Sequence, residues 1–156
     1  MAGRAGFTMV EVVVVMALLA ILVGLAAVNI IGSQRQIVSD SAVNMLIADL
    51  RSQQIKSMMG DDDGGSTAQS YGVLFEANSY TLFSGSSYSP SNPTNFQVQV
   101  EGLSLSSTFP SNTLIFAKAS GEVSGYNASQ DTITFTNSVG DQTVVEVNLY
   151  GVANEL

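Results

Sequence analysis

The sequence predicts an α+β protein: one long N-terminal helix, apolar in its first half and amphipathic in its second, packed on an antiparallel strand-rich C-terminal domain. Three observations predict it. Val12–Ile31 is a run of twenty residues without a charge, with Asn29 as its one strongly polar side chain, about the length a helix needs to cross ~30 Å of hydrocarbon. From Gln34 to Met59 there is no proline, and apolar residues recur at helical spacing. Beyond residue 70 the apolar period switches to two, in short runs separated by Gly, Ser, Asn and Pro.

Composition narrows the function classes. The chain has 156 residues, enough for one domain plus a membrane segment, and only 12% of them are charged. Five Lys+Arg against thirteen Asp+Glu give a formal charge of −8, which disfavours a nucleic-acid partner, because phosphates are met by a basic patch. There is no cysteine and no histidine. A disulfide framework and thiolate chemistry are thereby excluded, and the commonest general base and metal ligand is missing. No cofactor is expected.

In chain order, residues 1–6 form a short polar leader carrying Arg4 and the α-amine. Residues 7–33 form the apolar helix. Glu11 sits at the mouth of its uncharged run, where a carboxylate costs several kcal/mol unless neutralised or paired. A secretory signal peptide has a shorter apolar region, although Gly24-Leu25-Ala26 offers a small-x-small triplet for cleavage after Ala26. Arg35 balances Arg4, so charge counting leaves the topology nearly tied. Residues 34–60 continue the helix with Val43, Leu46, Ile47 and Leu50 at i, i+3, i+4, i+7 and Met58 further along the stripe. Ser41, Asn44, Arg51, Gln54 and Lys56 fall between them. Gly60 is the expected C-cap, with Lys56 in the last turn where a cation suits the dipole.

Residues 61–156 form the strand-rich domain. Asp61–Ser70 is a polar loop. Tyr71–Phe75 and Tyr80–Phe83 read as a hairpin across Glu76–Ser79, and Gly85–Asn95, with Pro90 and Pro93, reads as a long loop. Phe96–Val100 alternates as a half-buried strand. Thr113–Lys118 and Glu122–Tyr126 read as a pair turning at Ser120-Gly121, and Thr132–Thr136 pairs with Thr143–Tyr150 across Asn137–Asp141. About seven short strands result, and the amphipathic half-helix is the available cover for their sheets.

Few residues offer chemistry. Asp61-Asp62-Asp63-Gly64 clusters hard oxygen ligands as a Ca²⁺ loop would, but the EF-hand spacing and distal Glu are absent, and a solvated loop is the preferred reading. Asn127-Ala128-Ser129 matches a glycosylation acceptor triplet with nothing else to support modification. Asp131, Asp141 and Glu146 are scattered, and Ser120 lacks a nucleophile elbow and any histidine. The expectation is a protein that is not an enzyme.

The opening motif is more specific. Gly6-Phe7-Thr8-Met9-Val10-Glu11, after a short leader and before an uninterrupted apolar run, resembles the class III signal of type IV pilins and type II secretion pseudopilins. The resemblance implies cleavage of the Gly6–Phe7 bond by a prepilin peptidase and N-methylation of the new terminal Phe7. It also implies that Glu11 meets the N-terminal amine of a neighbouring subunit in the filament core, where two costly charges become tolerable as a pair. Within the superfamily, Leu50–Lys56, Ile115–Gly121 and Val147–Val152 resemble stretches of the GspH/FimT minor pseudopilin group, with Gln54 where alanine is usual. The mid-helix proline of many pilins, the arginine-rich tail of DNA-binding FimT members and the C-terminal cysteines of many Gram-negative pilins are absent.

The implied role is a minor pilin or pseudopilin subunit, with the major pilin of a fibre as the alternative. A membrane-anchored binding module using the Gly85–Asn95 loop is the rival from another class. The implied partners are the prepilin peptidase, sibling subunits, the inner-membrane assembly platform and lipid. The implied location is the cytoplasmic membrane, single-pass, with the domain extracytoplasmic, and then the pilus or pseudopilus.

Overall fold

A computed structural model describes residue 6, residues 8–60 and residues 69–156, with the backbone alone described from 26 to 39. Among the described residues, the helix α1 (Met9–Met59) is followed by eight strands, with a short 3-10 turn at Pro110–Asn112. The chain divides into two compact units, Met1–Ile37 and Val38–Leu156. The first contains the start of α1, described with the candidate site below.

In the second unit the strands form two antiparallel four-stranded sheets. The first has the order β3-β2-β1-β5, built from β1 (Tyr71–Glu76), β2 (Ser79–Ser84), β3 (Phe96–Gln99) and β5 (Thr113–Phe116). The second has the order β4-β6-β7-β8, built from β4 (Leu103–Ser107), β6 (Thr132–Asn137), β7 (Gln142–Val147) and β8 (Ala153–Glu155). The β1–β2 hairpin keeps Glu76 opposite Ser79 and Tyr71 opposite Ser84. Its turn also ties the sheets together, because Ala77 O accepts Leu105 N–H of the second sheet at 2.7 Å, while Asn78 O accepts Val100 N–H at 2.9 Å just beyond β3. The β6–β7 hairpin closes on Asn137, whose Oδ1 accepts the N–H groups of Val139 and Asp141, an Asx-type turn.

The helix half in this unit and both sheets share one core. Val43, Leu46 and Leu50 are fully buried with Phe75, Tyr80 and Phe116 of the first sheet and Ile133, Phe135 and Val145 of the second. Each such side chain removed from water stabilises the fold by about 1.5–3 kcal/mol. The Phe75 and Phe109 rings stack with centroids 6.1 Å apart. Tyr80 donates its hydroxyl to Asp49 Oδ2 of the helix at 2.6 Å. Burial, and then that bond, pushes the Tyr80 phenol well above its ordinary pKa.

The α+β class and the cover supplied by the helix stand. Several details differ from the expectation. The buried stripe runs on from Leu50 through Gln53 and Ser57, while Met58 is 52% exposed; spacings of three and four from Val43 lead to those polar residues, and Ser57 Oγ is satisfied by Gln54 O. Gly60 does end the helix, with φ +70°. Glu122–Tyr126 is not a strand. It makes a single bridge, Phe116 opposite Val123, because Gly121 and Gly125 take φ of +70° and +67° and turn the backbone away on either side. Strand β7 stops at Val147 and does not reach Tyr150, since Asn148 Oδ1 captures the N–H groups of Tyr150 and Val152. Strands β4 and β8 were not expected. The first buries Leu103 and Leu105 between serines, and the second is three residues long.

Candidate functional site

The candidate site is the start of α1. Thr8 precedes the first helical residue, and its Oγ1 accepts Glu11 N–H at 3.3 Å, while Thr8 O accepts Val12 N–H at 3.3 Å. Thr8 is therefore the N-cap, and Glu11 stands at the third helical position of a Thr-x-x-Glu capping sequence. A carboxylate in the first turn also complements the positive end of the helix dipole. Thr8 and Glu11 belong to the motif that carries the sequence resemblance, and their spacing also starts the helix.

Gly6 is exposed, and a Cβ built on it would meet nothing within 4 Å. Its backbone is also outside the left-handed region. Nothing in the described chain requires glycine there. Phe7 lies outside the described residues. From Met9 to Leu25 every residue is exposed, including Met9 at 86% and Leu25 at 68%. Contiguous apolar surface of that extent calls for lipid or a partner. Among the described residues no helix is long and apolar enough to cross a membrane; the side chains of the rest of the Val12–Ile31 run lie outside the description.

The other residues singled out by sequence do not converge. Asp61, Asp62, Asp63 and Gly64 lie outside the described residues, and among the described residues no cluster of three or more acidic side chains could hold a metal. Asp131 is buried, accepting the Tyr126 hydroxyl at 3.2 Å. Asp141 braces the β6–β7 turn by accepting Asn137 Nδ2 at 2.9 Å. Ser120 Oγ accepts Glu122 N–H within its own turn. Asn127 Oδ1 accepts Ser129 N–H, again locally.

A second structural contact was missed. Gln54 Nε2 donates to Gly121 O at 2.9 Å and to Tyr150 O. Beside it, Ser57 O accepts Ala119 N–H at 2.8 Å. A Cβ on Gly121 would collide with Met58, and one on Gly151 with Gln54 and Phe116. The last turns of α1 are thus clasped by two glycine turns that approach too closely for any side chain. The helix, strand-turn and closing-strand stretches on which the GspH/FimT resemblance rests meet at this one glutamine. The signal was the departure itself, glutamine at a position where alanine is usual; its partners, 67 and 96 residues away, carry no local mark.

Comparison with known proteins gives one finding. No curated protein and no solved structure matches the chain. Residues 1–27 match the family described as the prokaryotic N-terminal methylation motif, the same segment that holds Gly6, the Thr8 cap, Glu11 and the exposed apolar turns. The chain therefore carries the class III signal of a type IV pilin-like prepilin.

Proposed function

We propose that the chain is a structural subunit, a minor pilin or pseudopilin of the GspH/FimT kind, and not an enzyme. A prepilin peptidase cuts the Gly6–Phe7 bond and methylates the new N-terminus at Phe7. Before assembly, residues 7–33 hold the protein in the cytoplasmic membrane as a single pass with the domain extracytoplasmic. The assembly platform then draws it into a pilus or secretion pseudopilus beside sibling subunits.

The observation that carries this reading is the bare apolar helix from Met9 to Leu25 with one carboxylate, Glu11, in its first turn. Among the described residues, Glu11 bonds through its backbone N–H to Thr8 Oγ1. In lipid that carboxylate is costly, and a neighbour's amine relieves the cost. Joining a filament is therefore favourable for a residue that is unfavourable in the free subunit. Gly6 supports the processing step: the fold leaves its Cβ position open, so the choice of glycine answers to an outside agent.

The test is Glu11→Val. The substitution costs the helix start about 0.3–1 kcal/mol of dipole interaction and makes the run more apolar, so membrane insertion is retained. Incorporation into sheared filaments or pseudopili, measured by immunoblot against the membrane fraction, is expected to fall strongly. Wild-type incorporation of Glu11→Val overturns the assembly role.

A further inference from the structure

We infer that the domain carries a binding cleft for a neutral carbohydrate. The cleft has a volume of about 560 Å³, inside the roughly 300–1,000 Å³ range of small-molecule sites. Loop residues 86–88, the turn ahead of β5 and the segment from Val123 to Gln130 enclose it. Three chain-distant loops meet there, the arrangement on which binding sites are commonly built.

The chemistry of the walls selects the ligand. On a chain with a formal charge of −8, not one lining residue is charged. Phosphates, carboxylates and amines would find no counter-charge there in return for lost hydration, so a neutral ligand is favoured. Tyr88 and Tyr126 supply aromatic surface. The hydroxyls of Ser86, Ser87, Ser111 and Ser124 line the same space, and none of the four makes a side-chain hydrogen bond among the described residues. A purely apolar ligand would bury those hydroxyls unsatisfied. A sugar ring fits both demands, because its C–H face packs on an aromatic ring while its hydroxyls bond the serines.

The aromatic surface is held in place in advance. The Tyr126 hydroxyl donates to buried Asp131 at 3.2 Å, and Tyr88 stands edge-on to Phe83 with centroids 5.6 Å apart. Ser111 in one wall and its neighbour Asn112, neither of them glycine, take φ of +54° and +52°. Strain of this kind gathers at ligand sites, where surrounding structure holds it. An extended peptide added to the outer edge of β5 is the competing occupant. That edge is already engaged: Ser124 N–H bonds Ile115 O and Ala117 N–H bonds Glu122 O, both at 2.8 Å, and Thr113 N–H bonds Pro110 O.

The inference is independent of processing or assembly, since it concerns the purified chain alone. The experiment is saturation-transfer NMR on the full chain in amine-oxide micelles, which carry no sugar headgroup. The probes are maltose, cellobiose and N,N′-diacetylchitobiose, with glucose 6-phosphate as the charged control. At least one neutral disaccharide is expected to bind saturably at about 1 mM or tighter. Tyr88→Ala and Tyr126→Ala are each expected to weaken binding about tenfold or more. Tyr150→Ala, at a side chain 65% exposed and outside the cleft, leaves it unchanged. If thermal melting shows that a tyrosine variant is unfolded, Ser124→Val replaces it with the same expectation. Failure of all three sugars to saturate, equal binding of the phosphate control, or binding that survives the folded cleft variants overturns the inference. Saturable binding of a neutral serine-rich peptide that is lost in the same cleft variants, with no sugar saturating, assigns the cleft to peptide and overturns the inference too.

Discussion

Replacing Gln54 tests the joint between α1 and the sheets. Its amide donates to two backbone carbonyls, Gly121 O and Tyr150 O. Each net hydrogen bond contributes about 0.5–1.5 kcal/mol, so Gln54→Ala is expected to cost about 1–3 kcal/mol. At about 4 °C per kcal/mol for a domain of this size, the melting temperature falls by roughly 4–12 °C. Gln54→Glu sharpens the test. Its size is conserved, but its carboxylate faces two acceptors with no donor, so at neutral pH it is expected to be at least as damaging as alanine. The assay is thermal unfolding followed by circular dichroism, with the full chain in amine-oxide micelles. A Gln54→Glu protein as stable as wild type would refute the reasoning, because it would show that donation to these carbonyls contributes nothing.

Tyr80→Phe is expected to destabilise by about 1.5–3 kcal/mol, the worth of a hydrogen bond to a charged group, since Asp49 loses its donor. Because the folded Tyr80 pKa is raised, the folded state keeps a proton that an unfolded tyrosine sheds near pH 10. The associated stability is present below about pH 10 and is lost as pH rises further; urea midpoints across pH 8–11.5 should fall more steeply for wild type than for Tyr80→Phe. Gly121→Ala and Gly151→Ala each combine a left-handed φ with a collision against α1 or Phe116. They are expected to lose several kcal/mol, whereas Gly102→Ala, with φ +72° and open space around it, loses only the about 1–2 kcal/mol of conformational strain. Equal melting temperatures for the three variants would contradict the close-approach argument.

The helix and most hairpins were legible in the sequence because their signals are local. The Val43–Leu50 spacing fixes a helix face, and the Asn137–Asp141 turn states its own geometry in Asn137 and Gly140. What escaped is non-local. Gln54 acts through carbonyls of residues whose own side chains take no part, so no residue type announces the contact. Strand β4 hides its two buried leucines among serines, and β8 is too short to show a period. Glu122–Tyr126 has strand-like residues, but two glycines in left-handed conformations prevent the ladder. At the candidate site the reverse holds: Thr8 and Glu11 were legible as a motif, and their capping geometry follows from the same three-residue spacing.

The central claim is that the chain is made as a prepilin and matured at Gly6–Phe7. Intact and peptide mass spectrometry of the protein from its native membrane tests it most directly. The account predicts a mature N-terminus of N-methylated Phe7, and a precursor mass for Gly6→Val. An N-terminus at Ala27 would mark an ordinary secretory signal, and an unprocessed Met1 a plain membrane anchor; either would contradict the account.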